Sequence, residues 1–177
     1  MNQTFQYKLT KSEKSDIAQN LIDILQRDAK IKKQTSTFIS NWILTTSNEK
    51  RKAFFDVWEI VLKNYLPSER PILFRSCQRI SKKIKIASFT GRLECAKRFS
   101  DGKGTLIICD TNETLKFEEF SNSDNYTKSF YPLFRVLIKA KNSGGSGFSE
   151  RVLNNYIGEN EYIMKVDMED MLGLKWK

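Results

Sequence analysis

The stretch Ile84-Lys85-Ile86-Ala87-Ser88-Phe89-Thr90-Gly91-Arg92-Leu93-Glu94-Cys95-Ala96-Lys97-Arg98-Phe99-Ser100-Asp101-Gly102-Lys103-Gly104-Thr105-Leu106-Ile107-Ile108-Cys109 decides the fold. Ile84–Phe89 is a short apolar run fit for a strand. Gly91–Phe99 reads as a helix with Ala96 and Phe99 facing inward. Asp101–Gly104 is a turn, and Thr105–Cys109 is a second strand. Both flanks extend that reading into helices first and then a strand-rich body with two inserted helices, an order that predicts an α+β architecture.

Downstream and just upstream, short apolar runs predict further strands at Ile72–Arg75, Leu115–Phe120, Leu133–Ala140 and Tyr162–Met168, with a helix over Phe148–Tyr156. The last strand alternates cleanly. Tyr162, Met164, Val166 and Met168 share one face, and Glu161, Ile163, Lys165 and Asp167 share the other. Further upstream the period becomes helical. Thr10 and Glu13 form a capping box ahead of Ile17, Leu21, Ile24 and Leu25. Phe38, Ile39, Trp42 and Ile43 stripe a second helix. Ser47 caps a third, striped by Phe54, Phe55, Trp58, Val61, Leu62 and Tyr65 and ended by Pro67. These stripes read as core. The expected organisation is a helical segment over 1–66 packed on a strand-rich body over 67–177.

Composition narrows the chemistry. The chain has 177 residues, is 40% hydrophobic and 12% aromatic, and has material for a real core. It contains no histidine and three cysteines, Cys77, Cys95 and Cys109. Ser-His-Asp and Cys-His nucleophile systems, His-ligated zinc and Cys₄ metal sites are therefore excluded. The odd cysteine count fits a reducing compartment. No apolar run is long enough for a signal peptide or a membrane span, so a protein of the cytoplasm, either its producer's or that of an infected or targeted host cell, is expected.

The net charge of +9 is unevenly spread: residues 67–100 hold 9 basic and 2 acidic side chains, residues 101–177 hold 10 and 12. A basic middle segment predicts an anionic ligand or partner nearby. The cluster Arg70, Arg75, Arg79, Lys82, Lys83, Lys85, Arg92, Lys97 and Arg98 reads first as a solvated face, with phosphate-backbone binding as the alternative. Gly144-Gly145-Ser146-Gly147 lacks the spacing of a dinucleotide fingerprint, and Asp101–Thr105 lacks the rest of a P-loop.

Three places in the chain carry chemistry. Arg75 ends a strand expected to be buried, where a guanidinium needs a carboxylate or phosphate to match its fork; a structural salt bridge is the plain alternative. Ser88 and Thr90 close the next strand ahead of a helix, where capping would explain either. Glu159-Asn160-Glu161 puts two carboxylates on one side of extended backbone, where they could divide charge stabilisation and proton handling, or simply be exposed at a strand start.

In order and context these residues resemble the mono-ADP-ribosyltransferase family, in its arginine–serine–glutamate class. That class has a strand-borne arginine, here Ile72-Leu73-Phe74-Arg75. A strand ending in a Ser-Thr-Ser-type motif before a helix follows, here Ile86-Ala87-Ser88-Phe89-Thr90-Gly91. A late Glu-x-Glu completes the set, here Glu159-Asn160-Glu161. The middle block, with Ala96, Phe99 and Gly104–Ile108, is the most similar. Tyr156, three residues before Glu159, resembles the family's substrate-recognition turn. Phe89 departs from the motif, so Ser88 is the firmer match and Thr90 the looser one.

The resemblance implies N-terminal helices packed on a mixed, split β-sandwich. It also implies NAD as substrate, transfer of ADP-ribose to a protein acceptor, release of nicotinamide, and no metal. It assigns Glu161 to the oxocarbenium-like ribose, Ser88 to orienting Glu161, Arg75 to an NAD phosphate, and Glu159 to the incoming nucleophile. Phe89 and Thr90 join Arg75 and Ser88 around NAD. A glutamate at position 159 goes with arginine acceptors. The expected protein is a monomeric phage enzyme or bacterial effector acting on a nucleic-acid-associated complex. NAD hydrolysis at the same residues, or a non-enzymatic basic module for nucleic acid or an acidic protein, are the alternatives.

Overall fold

The structure, a computed structural model, describes residues 7–45, 52–80, 85–114, 129–166 and 171–176. The first helix, α1 (Lys11–Gln26), starts at the foreseen capping box: the Glu13 amide donates to Thr10 Oγ1 at 3.2 Å and the Thr10 amide donates to Glu13 Oε2 at 2.7 Å. Buried Asn20 fixes the turn into α2 (Lys33–Leu44). Its Nδ2 donates to the Lys30 carbonyl, while its Oδ1 accepts from the Lys32 amide and the Thr35 hydroxyl. Packed against α1 is α3 (Lys52–Asn64), where Asp56 accepts from both Lys14 and Lys52 and is held below the usual carboxylate range by those bonds. The expected Ser47 cap lies outside the described residues.

Six strands follow: β1 (Ile72–Cys77), β2 (Lys85–Thr90), β3 (Thr105–Asp110), β4 (Phe130–Tyr131), β5 (Glu161–Val166) and β6 (Leu172–Lys175). Between them lie α4 (Leu93–Phe99), α5 (Thr111–Thr114), α6 (Leu133–Asn142), α7 (Glu150–Tyr156) and a 3₁₀ turn, Ile157–Glu159. The strands form one open sheet in the order β4-β5-β2-β1-β3-β6, and every pairing is antiparallel. The α+β class holds. Among the described residues the expected mixed sandwich gives way to a wholly antiparallel sheet, because each neighbouring pair of strands runs in opposite directions.

That sheet is unevenly joined. Six residue pairs link β2 to β5 and six link β1 to β3, whereas β1 and β2 share the single pair Phe74↔Thr90. Two three-stranded halves, β4-β5-β2 and β1-β3-β6, therefore meet at a seam held by one pair.

Two apolar clusters occupy its faces. The larger joins α1, α2, α3, α6 and α7 to Tyr131 and Ile163, so the helical segment and the sheet share one core. The smaller gathers Leu73, Ala87, Phe89, Ile107, Tyr162, Met164 and Val166. The alternation foreseen in β5 is what feeds both: Tyr162, Met164 and Val166 go one way and Ile163 the other.

Several described elements differ from expectation, among them the short α5 and β4, which the apolar runs do not predict. Leu133–Ala140 is helix, not strand. Pro132 stands at its N-cap, and buried Leu133, Val136, Leu137 and Ala140 follow the i, i+3, i+4, i+7 rule that a simple apolar count overlooks. The short edge strand β6, with Leu172 and Leu174 exposed, was not foreseen. The expected strand Leu115–Phe120 and residues Asp167 and Met168 lie outside the described residues. No described helix is long and apolar enough to cross a membrane.

Candidate active site

At the seam lies a cleft of about 340 Å³. Arg75, Ser88, Phe89, Thr90, Glu159 and Glu161 line it, together with Phe74, Ser76, Ala96 and Phe99. Segments 86 residues apart in sequence, from Arg75 to Glu161, thus meet around one hollow. Its size falls in the range of small-molecule sites, roughly 300–1,000 Å³.

Register sets the β2–β5 wall. Glu161 stands opposite Thr90, and Ile163 opposite Ser88, so Glu161, Thr90 and Ser88 share one face. The turn carrying Glu159 is tied to the end of β2 by several bonds. The Thr90 hydroxyl donates to the Glu159 carbonyl at 2.7 Å and accepts from the Arg92 amide at 3.1 Å. Arg92 Nη1 and Cys95 Sγ both donate to the Gly158 carbonyl, and the Gly91 amide donates to that of Asn160. Asn160 adopts a left-handed backbone, φ 51°, and a Cβ on Gly91 would sit 2.3 Å from its Oδ1. A side chain at position 91 would therefore displace the Asn160 carboxamide, which lies against Gly91 in the docked turn. Thr90 acts as a strut of the turn, its hydroxyl already engaged.

The carboxylates differ. Glu161 Oε1 accepts from the indole Nε1 of Trp42, on α2, at 3.2 Å. No hydrogen bond among the described residues joins Glu161 to the Ser88 hydroxyl, which was expected to orient it. The reason is register: Thr90, not Ser88, is the direct neighbour of Glu161 across the strands. Glu159 lies 3.5 Å from Arg98 Nη2. Burial pushes its carboxyl above the ordinary glutamate value, the neighbouring Glu161 adds to this, and Arg98 opposes it.

Arg75 occupies the opposite wall. Its Nη1 donates to the Ser88 carbonyl at 2.6 Å, while its Nε is buried with no hydrogen-bond partner among the described residues. Burial presses the guanidinium below its usual value, partly offset by Cys77 and Glu161. The plain alternative, a structural salt bridge, is not formed among the described residues. A buried guanidinium with an idle donor has bonding capacity that an anion with paired oxygens could take up.

Several expectations need amending. Phe89 is 2% exposed and its ring belongs to the smaller core, which limits what it can offer a ligand. Phe99 does not face inward: it is 56% exposed, lines the cleft, and has the Arg98 guanidinium 5.3 Å from its ring centre. Tyr156 packs against the helical core and does not line the cleft. The basic cluster is not one continuous surface: Arg75 enters the cleft, Arg92 pairs with Glu94, and Arg98 pairs with Glu159. Lys82 and Lys83 lie outside the described residues. Trp42 and Arg98 were not singled out for the site, since a helical stripe hides the first and a charge cluster the second.

No protein-family model, curated protein or solved structure matches the chain. The chemistry must be argued from the cleft itself.

Proposed function

We propose that the chain transfers ADP-ribose from NAD to an arginine of a protein acceptor and releases nicotinamide. The observation that carries this reading is the meeting, in one cleft, of a buried guanidinium with an idle donor and a Glu-x-Glu pair in two different environments. Arg75 suits the pyrophosphate of NAD, because its planar fork bonds two oxygens at once.

Glu161 faces the nicotinamide ribose. Cleavage of the ribose–nicotinamide bond sends its electron pair to the pyridine nitrogen and builds positive charge on the sugar, which a carboxylate at that spot stabilises. Glu159 receives the acceptor. Its contact with Arg98 supports a guanidinium as the group it attracts, and its raised proton affinity suits taking a proton as the new C–N bond forms. Phe99, exposed beside these groups, offers a flat surface for a ring.

Incubation with labelled NAD and a cell lysate tests the reading. A labelled protein band is the expected result. Free nicotinamide with no band would replace transfer by hydrolysis at the same residues, and neither product would leave a basic binding module.

A further inference from the structure

We infer that Trp42, on the second N-terminal helix, is a positioning residue for the Glu161 carboxylate. The inference rests on the reading of Glu161 as the group facing the NAD ribose. The two residues are 119 positions apart in the chain, yet the indole N–H donates to Oε1 at 3.2 Å. An indole donates and never accepts, so this bond fixes one carboxylate oxygen and leaves the other for a ligand.

The donor itself is rigid. Trp42 is 1% exposed, and its ring packs edge-on against Phe55 at 6.2 Å and Trp58 at 5.6 Å, and against Phe54 at 5.9 Å. A carboxylate held by such an anchor keeps its orientation without reorganising during the reaction. The Ser88 hydroxyl does not fill this role in the structure, so the orienting bond comes from the helical segment. Those helices are then part of the site as well as its support.

Matched variants of the full chain test this. Trp42→Phe keeps an aromatic ring and removes the N–H; Trp58→Phe trims the same aromatic cluster at an indole with no hydrogen-bond partner among the described residues. Nicotinamide release should show kcat lowered about 10- to 100-fold in Trp42→Phe, with the KM for NAD within about threefold. Trp58→Phe should keep kcat within about threefold of wild type.

A second readout needs no tryptophan variant. The chain has three tryptophans, and in ¹⁵N spectra Glu161→Gln should move the Trp42 indole resonance while leaving that of Trp58 in place. Equal kcat in the two tryptophan variants, or an unmoved Trp42 resonance, overturns the inference. If Glu161→Gln is inactive and Trp42→Phe is fully active, only the positioning role falls. A wild-type chain that releases no nicotinamide overturns the reading of the site, and this inference with it.

Discussion

The two halves of the sheet contribute to the cleft in opposite ways. The β4-β5-β2 half is backed by the helical core, and its site groups are tied down: Glu161 by Trp42, the Glu159 turn by Thr90, Gly91 and Arg92. The β1-β3-β6 half supplies Arg75, whose Nε has no hydrogen-bond partner among the described residues, and exposes Ile72, Leu172 and Leu174. One wall is organised before a ligand arrives, and the other keeps bonding capacity in reserve. Such a division suits a reaction in which one side must hold a carboxylate still while the other grips a phosphate.

The sharpest way to break this contrast is Glu161→Gln, which keeps the shape and removes the charge. Nicotinamide release should fall about 1,000-fold or more while the thermal midpoint stays close to wild type. Near-normal release would remove Glu161 from the reaction.

Next comes Glu159→Gln, which should cut transfer to an arginine acceptor about 100-fold and NAD hydrolysis only severalfold. Equal losses would contradict the separation of the two carboxylates. The same group sets a pH dependence. Because burial raises its proton affinity, Glu159 takes up its proton at a higher pH than an ordinary glutamate. Transfer should therefore decline as pH falls through that raised value, sooner than hydrolysis does. A constant ratio of transfer to hydrolysis across the acidic range would contradict the base role.

On the opposite wall, Arg75→Lys should raise the KM for NAD about tenfold with little change in kcat, since an ammonium cannot copy the bidentate fork. An unchanged KM would take Arg75 out of the phosphate seat. The smallest effect belongs to the exposed edge. Leu172→Thr should alter stability by no more than about 0.5 kcal/mol and leave activity intact; a large loss in a thermal melt would mean that β6 braces the seam.

Parts of the fold and of the cleft are readable from the sequence alone, although the contrast between the two halves is not. Local signals survived folding: Thr10 and Glu13 specify a cap within four residues, and the two-residue period of β5 sends its side chains to two cores. Leu133–Ala140 was misread because its apolar positions fit a strand by density and a helix only by spacing. The short β6 gains its pairing from β3, a tertiary partner with no trace in its own sequence.

The site divides in the same manner. Arg75, Ser88, Glu159 and Glu161 were visible as residue types in an unusual order. The bond from Trp42 to Glu161 was not, because a buried tryptophan on an amphipathic stripe looks like core whichever way its N–H points. The single-pair junction of β1 and β2 was equally hidden, since register depends on both strands at once.

If both halves of the sheet hold one dinucleotide, a crystal of the Glu161→Gln variant soaked with NAD will show it. The expected density places a phosphate on the Arg75 guanidinium and the nicotinamide ribose beside residue 161, with the ligand spanning β1 and β2. NAD bound elsewhere, or a seam that stays closed to it at saturating concentration, would mean that the two halves do not share a dinucleotide.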